Sequence, residues 1–132
     1  ASAIEMGTAF MAATETTVHE NVKKAVIEAT DMSTVITGYY TGEACRQIKN
    51  KLSEKLIATE TQNAPVKVKE QIKAIAESSL KKAMQDGDME NGAVMAGQIV
   101  PLVTKVRTSL EIIDDTLAEC KIKIKEIQKF SF

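Results

Sequence analysis

Gly87-Asp88-Met89-Glu90-Asn91-Gly92-Ala93-Val94-Met95-Ala96-Gly97-Gln98 interrupts a chain that otherwise reads as amphipathic helix. Three glycines and two acids surround a short apolar run. Asp86-Gly87 has the form of a helix stop, because glycine accepts the left-handed conformation that a C-terminal cap needs. Asn91-Gly92 suits a turn and the capping of a new start. Val94 to Gln98 then leads into Ile99, Val100, Leu102 and Val103. In a helix Gly97 costs about 1 kcal/mol relative to alanine, so its presence points to something packed closely on the backbone. Gln98 beside it offers a donor and an acceptor. Two readings follow: tight helix packing at Gly97 with Gln98 in solvent, or contact with a flat polar ligand.

Working upstream, Pro65 suits a first helical position, since its missing N–H is not needed there. Val68, Ile72, Ile75, Leu80 and Met84 predict the inner face of one helix running to Asp86-Gly87. Thr59 to Ala64 is polar and reads as a loop. Before it, Ala44, Ile48, Leu52 and Leu56 predict a helix after a Thr41-Gly42 turn, with Lys49, Lys51 and Lys55 outside. Ser33 to Tyr40 is β-branched and aromatic and reads as a short strand. One of Tyr39 and Tyr40 is expected in the core, the other at a cleft. Thr17-Val18-His19-Glu20 has the capping-box form, and Val18, Val22, Ala25, Val26 and Ala29 follow at helical spacing. Ser2 to Phe10 is short and apolar and breaks at Gly7-Thr8, like a buried strand leaving into a loop. Downstream, Pro101 falls in a first turn or kinks a helix. Thr108-Ser109-Leu110-Glu111 is a second capping box. Leu110, Ile113, Leu117, Ile124 and Ile127 then form the stripe of a long last helix.

Composition bounds the function. The chain has 132 residues, 44% hydrophobic and 27% charged, with a net charge of −1. That is a globular composition with enough length for one core. No net positive field recruits nucleic acid or an anionic membrane, and the aromatics are too few for a stacking platform. No apolar run is long enough for a membrane span, and no signal-peptide pattern is visible. Cys45 and Cys120 lack metal or redox spacing and read as thiols of a reducing, cytoplasmic compartment, with one disulfide between them left open. The opening Ala1-Ser2-Ala3 points to processing, a tag scar or a fragment.

Candidate chemistry is sparse. His19 is the sole histidine and falls at a predicted helix start, so a structural role is favoured over catalysis. No ligands converge at zinc spacing. Asp86, Asp88 and Glu90 alternate, but not at EF-hand spacing, and read as a solvated acidic turn. Asp114-Asp115 reads as a solvated helix face. Gly7-Thr8 after an apolar strand can present backbone N–H groups to a phosphate.

Ile4-Glu5-Met6-Gly7-Thr8-Ala9-Phe10, the Thr16 to Asn21 helix start, Thr37-Gly38, Arg46-Gln47-Ile48-Lys49-Asn50-Lys51-Leu52 and the Gly87–Gln98 stretch occur in this order. Together they resemble the FMN-dependent enoyl-[acyl-carrier-protein] reductase II and nitronate monooxygenase (2-nitropropane dioxygenase) family, from about Ile4 to Asp114. The resemblance implies a (β/α)8 TIM barrel that binds FMN at the carboxyl ends of its strands, under a helical cover domain. This chain corresponds to the carboxyl-terminal part: residues 1–14 as the last barrel strand and loop, 15–87 as the cover with a short strand near 34–38, and 88–132 as the flavin-proximal turn and closing helices. Taken alone, the chain is expected to be mainly α with one or two short strands. The resemblance places Gly7 and Thr8 at the FMN phosphate and Met95, Gly97 and Gln98 at the flavin edge or substrate pocket.

No catalytic residue and no metal ligand is carried over, and His19 does not match the family's catalytic histidine. The implied reaction is hydride transfer from NAD(P)H through FMN to an enoyl thioester, with acyl-carrier-protein or a small molecule as partner. Ala9, where many reductases carry arginine, pulls toward nitronate oxidation instead. A barrel of this kind takes about 250 residues, so the first seven strands are not in these residues. A third expectation is a non-enzymatic helical module that forms homo-oligomers through an exposed strand edge.

Overall fold

The computed structural model describes residues 3–62 and 65–130. They are mostly helical around one two-stranded sheet. In chain order the elements are α1 (Thr8–Met11), α2 (Glu20–Ile27), β1 (Thr34–Thr37), β2 (Cys45–Ile48), α3 (Lys51–Gln62), α4 (Pro65–Ala76), α5 (Ser79–Met84) and α6 (Ser109–Ile127). Short 3-10 turns lie at Tyr39–Thr41 and Val100–Leu102.

The decisive stretch is the spine of this arrangement, and it is extended rather than helical. Ala93, Val94 and Ala96 are all buried, and each belongs to a different apolar cluster. Ala93 packs with Leu52 and Leu56, Val94 with Val22 and Ala83, and Ala96 with Ala12, Val26, Val100 and Val103. Met95 lies between two buried neighbours and is itself exposed, as the two-residue period of extended backbone requires. This segment runs beside β2. Ile48 N–H donates to Val94 O (2.9 Å) and Ala96 N–H to Arg46 O (3.2 Å), and Gln47 and Met95 form an antiparallel bridge. No new helix starts at Asn91-Gly92.

The sheet corrects the expected helix at Ala44–Ile48. β1 and β2 pair antiparallel in the register Thr34↔Ile48 to Thr37↔Cys45, and the helix begins only at Lys51. The apolar spacing of Ala44 and Ile48 fits a helix equally well, but the ladder from β1 and residues 94–96 takes the backbone groups of 45–48. The buried strand expected in Ser2 to Phe10 is absent from residues 3–10. Residues 3–7 are irregular and Thr8 opens α1. No described strand lies beside it, and a strand exists only by the ladder it shares. The part of that expectation on Ala1 and Ser2 lies outside the described residues.

Three helix expectations shift. The Thr17 box is not the cap of α2. His19 is, and its Nδ1 accepts from Asn21 N–H (3.1 Å). The helix expected from Pro65 to Met84 breaks at Ser78, whose φ is +58°, giving α4 and α5. The loop expected at Thr59–Ala64 is helix to Gln62, and Asn63 and Ala64 lie outside the described residues. By contrast, the Thr108 capping box is fully formed and Pro101 sits in a 3-10 turn. The predicted stripe of α6 is exposed at all five positions, and Ile112 is the buried residue. The first turns of α6 meet the body, at Ser109, whose N–H donates to the Glu15 carboxylate (3.0 Å), at Ile112, and at Thr116, whose hydroxyl lies 4.0 Å from the Met6 sulfur. Both Tyr39 and Tyr40 are exposed and pack edge to face, so neither is core.

Candidate functional site

Two segments far apart in sequence meet at one hydrogen bond. Gly97 N–H donates to Thr8 Oγ1 (2.9 Å). Thr8 is the first residue of α1, with Gly7 as its cap and Met11 N–H bonded to Gly7 O (3.1 Å). The Gly97 carbonyl accepts from Val100 N–H (3.1 Å), which starts the 3-10 turn. The five residues Gly7, Thr8, Met95, Gly97 and Gln98 therefore lie on two segments joined at Thr8 and Gly97. Met95, Gln98 and Gly7 are exposed, and Thr8 and Gly97 are half-buried.

The glycines separate into two groups. Gly38, Gly42 and Gly87 have positive φ, and Gly92 is crowded by Asp88 O and the Ala83 backbone. Those four are accounted for by the chain's own conformation and packing. Gly7 and Gly97 are not. Neither has positive φ. A Cβ on Gly7 meets nothing within 4 Å, and one on Gly97 meets nothing closer than Thr8 Oγ1 at 3.5 Å. Close packing by this chain does not explain Gly97, and it is not in a helix. The expectation of tight helix packing there is overturned.

The approach to the site is fixed from the other side. Asp88 Oδ1 accepts from Glu90 N–H (3.0 Å) and Asn91 N–H (2.9 Å), closing the acidic turn. These bonds, the Asn91 backbone bond foremost, hold the Asp88 carboxyl below the usual carboxylate range. Lys51 Nζ reaches Glu90 Oε2 (2.7 Å) from solvent. His19 lies over Gly87, its N–H bonded to Met84 O (2.8 Å), and Asn21 Nδ2 donates to Gly87 O (2.9 Å). His19 is thus spent on α2 and the Gly87 turn, away from Gly97. No group of three or more potential metal ligands is found among the described residues.

Cys45 and Cys120 are unpaired thiols, the first half-buried and the second exposed, and burial pushes the Cys45 thiol up. Asp115 pairs with Arg107 at 2.6 Å. A separate open groove of about 740 Å³ lies between the Tyr39–Thr41 turn and α4, lined by Glu43, Lys69, Ile72, Lys73 and Glu77. It includes none of the five residues. No helix of the described residues is long and apolar enough to cross a membrane.

Single-residue reasoning passed over two polar residues beside the site. Gln47 Nε2 donates to Thr37 Oγ1 (2.8 Å), while Gln47 Oε1 is buried with no hydrogen-bond partner among the described residues. Asn50 bridges the end of β2 to the acidic turn. Their only signal in sequence was membership of the Arg46–Leu52 block.

Comparison with known proteins bears on both segments at once. A family model described as nitronate monooxygenase matches residues 1–119. A probable nitronate monooxygenase of Staphylococcus haemolyticus (strain JCSC1435) is 30% identical over 104 residues, covering 79% of this chain and 28% of that protein. The solved structure of FabK from Thermotoga maritima superposes with a TM-score of 0.85 at 30% identity, over 98% of this chain and 40% of that one. A methionine-to-alanine variant of the same protein gives 0.81 at 26% identity, over 99% of this chain and 38% of that one. The chain thus spans well under half the length of the relatives it matches.

Proposed function

Because the chain belongs to the nitronate monooxygenase family, whose members are oxidoreductases, we propose that it carries one side of the FMN site of an FMN-dependent oxidoreductase. The observation that carries this reading is the pair of glycines, Gly7 and Gly97, on two segments joined by the hydrogen bond from Gly97 N–H to Thr8 Oγ1. Neither is required by its own φ or by neighbouring atoms of this chain. Both leave a surface onto which a flat ring or a phosphate fits and which a Cβ would fill.

In this reading Gly7 and Thr8 offer backbone N–H groups to the FMN phosphate. The Thr8 hydroxyl, by accepting from Gly97 N–H, sets the distance between the phosphate end and the ring end. Met95 supplies an apolar, polarisable face. Gln98 orients a polar edge by donating and accepting. The wider architecture is a (β/α)8 barrel in which residues 1–14 stand at the last strand position, 15–87 form the cover and 88–132 close the wall. When bound, FMN supplies the relay of a hydride from NAD(P)H to the double bond of an enoyl thioester carried by acyl-carrier-protein. The likeness to FabK over 98% of the chain favours that substrate class.

A second reading, oxidation of an alkyl nitronate with oxygen, is favoured at Ala9. Its side chain is half-buried against the apolar cluster of Ala12, Val26 and Ala96, at the position where many reductases of the family carry arginine. The test is a direct comparison of NAD(P)H consumption with an enoyl thioester against oxygen uptake with a nitronate. Turnover with neither substrate, in protein that holds FMN, would sink both activities while leaving the flavin site.

A further inference from the structure

We propose that Asn50 is the positioning residue that fixes the Met95–Gln98 segment against the flavin; the inference rests on the FMN reading above. Asn50 stands between β2 and α3. Its Nδ2 donates to two carbonyls of the acidic turn, Met89 O (2.9 Å) and Gly92 O (2.7 Å). Its Oδ1 accepts from Ser53 N–H (3.0 Å) in the first turn of α3. Both donors and the acceptor of the carboxamide are engaged, so the side chain cannot rotate without losing all three bonds. Ser53 Oγ braces it further, accepting from Asn50 N–H (2.9 Å) and donating to Asn50 O (2.8 Å).

The geometry links this clasp to the site. Gly92, whose carbonyl Asn50 holds, leads directly into the extended run Ala93–Gly97. Beyond the clasp, that run is held by few bonds: Ala93 N–H to Ser79 O (2.9 Å), Ile48 N–H to Val94 O, Ala96 N–H to Arg46 O, and Gly97 N–H to Thr8 Oγ1. Asn50 fixes the entry of the run and Thr8 its exit. Extended backbone turns every side chain to the other face when it slips by one residue. A loosened entry therefore misplaces Met95 and Gly97 together.

Asn50 also caps α3, and the test must separate the two roles. Aspartate caps as well as asparagine and has nearly its shape, but when ionised it has no N–H for the two carbonyls. Asn50→Asp keeps the capping acceptor and removes the clasp. Asn50→Ser, whose hydroxyl still caps, is the second variant should the first not fold. Hydrogen exchange and FMN titration are read on wild type, both variants, Gly97→Leu and the solvent-side control Lys24→Ala, whose side chain is exposed and pairs with Glu28. Carbonyls stripped of a donor predict exchange at Ala93, Ala96 and Gly97 faster by at least about tenfold, with the amides of α3 and α6 unchanged. FMN affinity should fall by about tenfold or more, and Lys24→Ala should match wild type in both. Wild-type exchange at 93–97 in both Asn50 variants overturns the proposal. So does faster exchange with undiminished FMN affinity, given that Gly97→Leu loses it. Wild-type protein that takes up no FMN overturns the flavin reading itself and this role with it, an outcome recognisable because it precedes any variant.

Discussion

Gly97 is the residue on which the functional reading turns. A Cβ there meets nothing closer than Thr8 Oγ1 at 3.5 Å, an ordinary contact, so the fold should tolerate a larger side chain that a ligand does not. Gly97→Leu is expected to leave the urea midpoint close to wild type while weakening FMN at least about tenfold, roughly 1.4 kcal/mol. Gly87 is the opposite case. It has φ +70° and lies under the His19 ring, so Gly87→Ala should destabilise by about 1–3 kcal/mol without being near the flavin. A stability loss at Gly97 as large as that at Gly87 would mean that close packing explains both. Asp88 adds a pH test. Its folded pKa lies below its unfolded one, chiefly through the Asn91 backbone bond. The stabilisation it gives is present above the unfolded pKa and is lost as pH falls through the folded value. Asp88→Asn should therefore flatten the decline of stability with acid below the usual carboxylate range, measured as urea midpoints across pH.

At the scale of elements, legibility followed locality. The Thr108 box was readable because it lies within four residues: Thr108 Oγ1 accepts from Glu111 N–H (3.2 Å) and Glu111 Oε2 from Thr108 N–H (2.7 Å). Thr108→Ala should cost about 1 kcal/mol by thermal melt. The bond to Thr108 N–H holds the Glu111 carboxyl low, so the capping bond weakens as pH falls through that value. Most charges of α6 follow its dipole, acidic at Glu111, Asp114 and Asp115 and basic at Lys121, Lys123 and Lys125, with Glu126 in the last turn opposing it. β2 was not readable as a strand, because its partners, Thr34–Thr37 and residues 94–96, are distant in sequence. Nor was the break at Ser78, since serine gives no signal for the left-handed backbone it adopts. Ser78→Gly relieves that strain and should raise stability by up to about 1 kcal/mol. A drop instead would show that the serine stabilises its own turn.

At the scale of the whole molecule, the family resemblance and the fold bear on the same two segments. The resemblance groups Gly7-Thr8 with Met95 to Gln98, which are distant in sequence. The fold joins them through a bond between residues 8 and 97. What sequence could not convey was the means: an extended run threading three apolar clusters, and Asn50 fastening its start. The exposed row on α6 and the irregular residues 3–7 likewise depend on what lies beside them, which no local pattern encodes. If the Gly7 and Gly97 faces form part of a flavin site, the protein should retain FMN. The most direct test is the visible absorption spectrum of the purified protein after addition of FMN and removal of excess, with an intact mass on the same sample and Gly97→Leu alongside. The expected result is a retained, spectrally shifted flavin at stoichiometric occupancy in wild type and its loss in Gly97→Leu. A colourless wild-type protein, or equal retention by both, would contradict it.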